Sequence, residues 1–511
     1  MAVSQESAVV GSEALHFVAE IVRNMSTTVG FAIAAREFTA ATVELPCFSE
    51  ETRQLREEKW TVAALPQGLL DRRAELLVPA SDAKRMEAGM RSGASVMIAD
   101  MDDSQFPTWD SVTQAHLNIC NAVRAVQEIH GEGAKPGLAS IAVRPRGIHI
   151  FERNMLVDGA LVSAALFDVG VFAFNNAREM LNLGLVPNIY IPKIENHLEA
   201  SLWNNVLCCI ENELCLPAGS IKATVMIESV TAAFEIDEIL YELRDRAVGI
   251  GFGKWDYLQS FIRYFGTARG FIMQDVSDTK GSLLFLDACE SLLVRTAHSR
   301  GLPAIGGTSN FVQPLPGSDQ DVISMARLLH EKAREVVLGY DGSRLYDPAH
   351  VEAVKGLFSA NGTNRIPGGP CHGEKETASE MLALPSPRIT MQSLRRIIVS
   401  VLRFLASWAS GRDYVTIDGR IENISTVDFY RSLLWQWARA KTITSDGTVL
   451  YGGRISCLID EETAGILKGV GGTKMTERYE QAAYMLKNII NTTDFTPSLV
   501  GYALEHSLLE A

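Results

Sequence analysis

Two acids, Glu228 and Asp256, are separated by about the length of one strand–helix unit. Each closes a β-branched, apolar run: KATVMIES over 222–229 and AVGIGFGKWD over 247–256. Carboxylates on the ends of neighbouring strands can share a hard divalent cation, and magnesium takes oxygen ligands. No histidine–cysteine cluster with metal-ligand spacing occurs, which disfavours zinc. Glycines at 249, 251 and 253 would let backbone N–H groups approach an anion. Arg144 and Arg146, in SIAVRPRG over 140–147, offer fixed positive charge for an oxyanion.

These residues need a scaffold that brings strand ends together. Further apolar runs lie at 95–100 (SVMIAD), 188–196 (NIYIPKIEN), 302–307 (LPAIGG) and, more weakly, 335–342 (EVVLGYDG). Continuous apolar strands alternating with helical patterns describe a parallel sheet covered on both faces. Asp100, Arg144, Lys193, Glu195, Glu228 and Asp256 all follow or end such runs. In a barrel those ends share one mouth, where active sites lie. The expected fold is α/β, a (β/α)₈ TIM barrel over 86–375, with an N-terminal helical segment over 1–85 and a C-terminal helical domain over 376–511. An open doubly wound sheet is the alternative, weakened by the absence of a G-x-G-x-x-G after an early strand.

The segment NGTNRIPGGPCHGE, 361–374, reads as a linker. Beyond it Leu394, Ile397, Ile398, Val401, Leu402 and Leu405 follow the helical period. Trp435 and Trp437 read as packing. Asp102 and Asp103 read as solvated loop acids, with negative charge near the metal as the alternative; Lys193 and Glu195 read as a pair with each other, with support of the site's ligands as the alternative. His149 and His197 read as structural, and Cys208 and Cys209 as core.

The chain has 511 residues and a formal net charge of -14, which makes it a poor partner for phosphate backbones. Nucleic acid is therefore not an expected partner. Eight cysteines without a C-x-x-C pair suit a reducing compartment better than a disulfide scaffold. The first residues lack a basic segment followed by an apolar run, no apolar stretch spans a membrane, and the last residues, HSLLEA, are not an SKL-type tail. A cytoplasmic location with no membrane partner is the expectation; the oligomeric state is left open.

Several segments carry a family resemblance. VRPRGIH (143–149), YIPKIENHLEASLWNNV (190–206), the block 222–257 and RSLLWQW (431–437) resemble the signature segments of A-type malate synthases. ADMDDSQFPTWD (99–110) and DRRAELL (71–77) fit the same family. The resemblance implies a C-terminal helical plug over the barrel mouth. It also implies a reaction. Magnesium on Glu228 and Asp256 polarises the aldehyde of glyoxylate, whose carboxylate lies on the amides around Gly253, Lys254 and Trp255. An aspartate of the plug deprotonates acetyl-CoA, the enolate is held by Arg144, and the malyl thioester formed is hydrolysed.

The chain departs from the family at that aspartate. The family's E-D-A-A-T-A-E-I-S-R aligns without a gap on residues 422–431, which begin Glu422-Asn423. Asn423 takes the base position, and an amide cannot act as a general base. Glu422 and Asp428 are substitute candidates, although the family has Glu422 too. The family's G-T-W-V-A-H-P reads Gly342-Ser343-Arg344-Leu345-Tyr346-Asp347-Pro348 here, and the tryptophan after RPRG is Ile148. These changes point to a reshaped mouth. The expected function is a Claisen-type condensation of an acyl-CoA thioester with a glyoxylate-like 2-oxo acid, followed by thioester hydrolysis. The enolate could also form by loss of CO₂ from a β-carboxylated thioester. The alternatives are a hydrolase or lyase of a 3-hydroxyacyl-CoA, and a non-catalytic homologue.

Overall fold

The computed structural model describes residues 9–42, 44–131, 138–268, 270–276, 283–312, 317–359 and 377–506. The segment 361–374 and His372 lie outside them. The described chain forms two compact units: residues 1–37, 46–254 and 289–376 make the first, and 38–45, 255–288 and 377–511 the second.

The first unit is a closed parallel barrel. Its strands are β1 (Ala74–Pro79), β2 (Val96–Asp100), β3 (Ser140–Arg144), β4 (Asn188–Ile194), β5 (Lys222–Ile227), β6 (Ala247–Phe252), β7 (Ala304–Ser309) and β8 (Gly342–Leu345). β1 closes the ring by pairing with both β2 and β8. Nearly every strand residue is buried, as expected where one face meets the barrel interior and the other the helices.

Two expectations need correction. The barrel begins inside the segment read as helical: AELLVP is β1, short enough to be hidden beside helical neighbours. EVVLGYDG is not a strand. It is the end of a helix, Asp319–Leu338, stopped by Gly339 at φ 100. The true last strand is the polar GSRL, which carries no apolar run to read.

Helix α1 (Ser12–Thr42) precedes β1, and α2 (His197–Glu213), capped by Asn196, follows β4. β4 is irregular: its register against β5 shifts between Ile191 and Ile194, and Lys193 sits there at φ 53. Along β6 and just past its end the inward positions are Gly249, Gly251 and Gly253, and other side chains occupy the space they leave. A Cβ would come within 2.9 Å of Arg72 Nη1 at 249, 2.9 Å of Met226 Sδ at 251 and 2.5 Å of Glu228 Oε1 at 253. The glycines thus make room for side chains rather than for a ligand alone.

The second unit is mostly helical. Helix α3 (Lys254–Phe265) starts at its boundary; α4 (Met391–Trp408) and α5 (Ile424–Arg439) form its centre with Gly452–Leu467 and Thr473–Asn491. α4 buries the predicted face from Leu394 to Leu405. Trp435 and Trp437 are buried packing residues whose ring N–H groups donate to Thr492 O and Met273 O. A hairpin, Val415–Ile417 and Arg420–Glu422, turns through Asp418 and Gly419, both at positive φ. It delivers Glu422 and Asn423 to the start of α5.

Candidate active site

In the barrel unit the strand ends gather charge. Arg144 ends β3 and is 4% exposed. Its Nη2 donates to Asp103 Oδ2 at 2.6 Å and Glu228 Oε1 at 3.1 Å, with Asp102 at 3.3 Å. Lys193 donates through Nζ to Asp102 and to Asp103, the latter at 2.7 Å. Its backbone N–H donates to Glu228 Oε2 at 2.8 Å, a bond that the left-handed backbone of Lys193 makes possible. Asp102 and Asp103 are thus buried partners of cations, not solvated loop acids, and Lys193 pairs with both of them. Glu195 lies 3.7 Å from Arg36.

Arg36 reaches this region from α1. It holds Glu199 with two bonds, 2.5 and 2.6 Å, and donates to Lys193 O at 2.8 Å and to the His149 ring. Nothing in the sequence marks Arg36, because its partners lie over a hundred residues away. Arg146 is committed elsewhere, to Asp168 and Glu152, so Arg144 alone of the pair meets the strand-end acids. His197 pairs with Glu235 and His298 with Asp341. Cys208 and Cys209 are half-buried rather than core.

Four carboxylates, Asp100, Asp102, Asp103 and Glu228, are buried here around Arg144, and the half-buried Lys193 joins them. Burial raises the pKa of Asp100 and pushes Asp102 up to about 6, against the pull of Lys193. Burial also works against ionisation of Asp103, but Arg144 and Lys193 outweigh it and hold that carboxyl at about 2. Asp100 Oδ2 is buried without a hydrogen-bond partner. The oxygens turn towards the cations, and among the described residues no three His, Cys, Asp or Glu side chains converge on one point. The excess of oxygen anions nevertheless fits a hard divalent cation.

Gly253 donates its N–H to Ile227 O at 3.0 Å, so that amide serves the barrel ladder. Lys254 and Trp255 open α3, where helix amides favour anions. In the helical unit Asp256 stands in the first turn of α3, past the end of β6. It accepts from Ser425 Oγ at 2.7 Å, and Trp255 packs on Phe429 at 5.9 Å between ring centroids.

Asn423 is the N-cap of α5. Its Oδ1 accepts from Thr426 N at 3.3 Å, and Thr426 Oγ1 accepts from its backbone N–H, a reciprocal capping box. Glu422 is 3% exposed, with Oε2 unpartnered. Burial pushes its carboxyl up to about 7, partly offset by Thr426, Arg396 and Arg420.

A parallel eight-stranded barrel with a buried arginine and carboxylates at its strand ends defines a (β/α)₈ enzyme. Comparison with known proteins narrows the class. Residues 140–379 match the family model of the malate synthase TIM barrel domain, and 388–506 that of the malate synthase C-terminal domain. The chain is 37% identical to malate synthase of Myxococcus xanthus (strain DK1622), over 85% of this chain and 82% of that one. It is 33% identical to malate synthase of Streptomyces clavuligerus, over 99% and 96% of the two. With malate synthase A of Escherichia coli (strain K12) the identity is 28%, over 98% and 96%. The chain belongs to the malate synthase family, enzymes that condense acetyl-CoA with glyoxylate. No described helix is long and apolar enough to cross a membrane.

Proposed function

We propose that the chain condenses the acyl group of a CoA thioester with a glyoxylate-like 2-oxo acid and hydrolyses the resulting thioester, with magnesium as cofactor. The observation that carries this reading is Arg144, buried at the end of β3 among four carboxylates. There it supplies fixed positive charge to the enolate oxygen of the thioester. Glu228 and Asp256 are the proposed metal ligands. Ile227 and Phe252 are register partners, so both acids follow the ends of adjacent strands. A bound magnesium ion would polarise the 2-oxo carbonyl as a Lewis acid. The amides of Lys254 and Trp255 hold the substrate carboxylate, and Gly253 leaves the room that Glu228 needs.

Asn423 sets this chain apart from the family reaction. An amide that caps a helix cannot accept the methyl proton. The proton passes to Glu422, or the enolate forms by loss of CO₂ from a β-carboxylated thioester. Asn423 also favours a second reading, hydrolysis or cleavage of a 3-hydroxyacyl-CoA, in which no α-proton is removed. The test is thiol release from acetyl-CoA plus glyoxylate and magnesium, comparing this chain with Asn423→Asp and identifying products by mass spectrometry. Malate from the Asp variant is the expected result, at ~10²–10⁴ times the rate of this chain. If neither makes malate, the condensation with glyoxylate is wrong. Asp256→Ala is expected to lose both turnover and magnesium binding by calorimetry; a variant that binds magnesium normally would refute the ligand assignment.

A further inference from the structure

Among the described residues, one buried cation of the barrel has no ion-pair partner; its register neighbour Glu75 is taken up by Arg72 and Tyr190. Arg36, Arg72, Arg144, Arg146 and Arg246 are all buried, and each sits on a carboxylate. Arg344, on β8, is 3% exposed and makes no ion pair among the described residues. Its guanidinium donates to Gly306 O at 3.2 Å, to Phe252 O at 2.5 Å and towards Met226 Sδ at 2.8 Å. Two of these acceptors are neutral carbonyls and the third is a thioether, a weak acceptor. Each terminal nitrogen has two N–H groups and one partner, so one N–H on each is unused. An isolated buried charge is costly unless something pairs with it.

Its place says what could pair with it. A Cβ on Gly251 would lie 3.6 Å from Arg344 Cζ, and one on Gly253 would lie 2.5 Å from Glu228 Oε1. The Arg344 guanidinium therefore lies between the levels of Gly251 and Gly253, below Glu228 by less than the ~7 Å that two strand residues span, since its Nη2 meets Phe252 O. That is the reach of a short dicarboxylate whose carbonyl end sits at the level of Glu228 and Arg144. The two unused N–H groups suit an end-on carboxylate.

We propose that Arg344 is a specificity-determining residue that binds a second carboxylate, so that the preferred acceptor is a short dicarboxylic 2-oxo acid rather than glyoxylate. The inference rests on the proposed use of a 2-oxo acid at this mouth. It is tested by calorimetry on the full chain with magnesium and matched acids: oxaloacetate against 2-oxobutyrate, and 2-oxoglutarate against 2-oxovalerate, with glyoxylate as reference. One diacid should bind on the order of tenfold or more tightly than its monoacid match. Arg344→Met should bring that ratio to about one, and Arg344→Lys should keep part of it. A folded Arg344→Met with the ratio intact would leave Arg344 a purely structural hydrogen-bond donor and overturn the proposal. So would a ratio of about one in the unaltered chain, which decides the matter even if the methionine variant does not fold. Glyoxylate binding without diacid preference removes this inference alone. Failure of every acid, glyoxylate included, removes the proposed function as well.

Discussion

Glu422 holds a proton that the unfolded chain would release. Its carboxyl titrates at about 7 when folded, against 4.5 for an ordinary glutamate, and burial is the main cause. A raised pKa means that the folded state binds more protons between those values. Stability from this group is therefore complete below about pH 4.5 and lost as pH rises through about 7. Glu422→Gln keeps the neutral shape at every pH. It should leave thermal stability unchanged near pH 4.5 and raise it at pH 8, by at most about 3 kcal/mol. Equal melting-temperature differences at the two pH values would show that Glu422 is not the buried acid described. If Glu422 also takes the substrate proton, turnover rises with pH through about 7 and the glutamine variant loses that limb. Arg36 has no such subtlety. Arg36→Ala strands the buried Glu199 and should cost ~3–5 kcal/mol in chemical denaturation; a loss below 1 kcal/mol would mean that the pair does not anchor α1.

Elements explain why some of this was readable from residue types and some was not. β2 to β7 carry apolar runs that end in polar residues, so their number and the placement of Arg144 and Glu228 follow from pattern alone. β8 escaped because its inward residue is an arginine, and apolar periodicity is blind to a polar strand. Asp102 and Asp103 look like solvated loop acids in sequence because their partner, Lys193, lies about ninety residues away, beside a register shift in β4. No local signal announces that shift. The β6 glycines are visible in sequence, but what fills their space comes from β5, β7, β8 and Arg72, which only the closed ring supplies. Gly253→Ala tests the strand directly. The added methyl must displace Glu228, so the variant should fold while activity falls ~10²-fold, the usual effect of an ångström-scale misplacement. Wild-type turnover would show that Glu228 need not stand where it does.

At the scale of the molecule, a net charge of -14 opposes the approach of an anionic CoA thioester. Added salt screens that repulsion over ~10 Å at 0.1 M. The second-order rate constant for the thioester should therefore rise as salt increases from low to physiological ionic strength. A fall instead would reveal a local basic funnel strong enough to reverse the overall field.

β6 and the residue that follows it present three successive inward positions without a side chain. Such a strand has no preference of its own about what stands opposite it. A neighbour can exchange an aromatic for a charged group there without asking β6 to change in step. The barrel wall behaves like an unlabelled socket, whose specificity is written on the strands that reach across to it. Libraries that vary Met226 and Arg344 together, with the glycines kept, should therefore move acceptor preference while leaving the ring's hydrogen-bond ladder untouched.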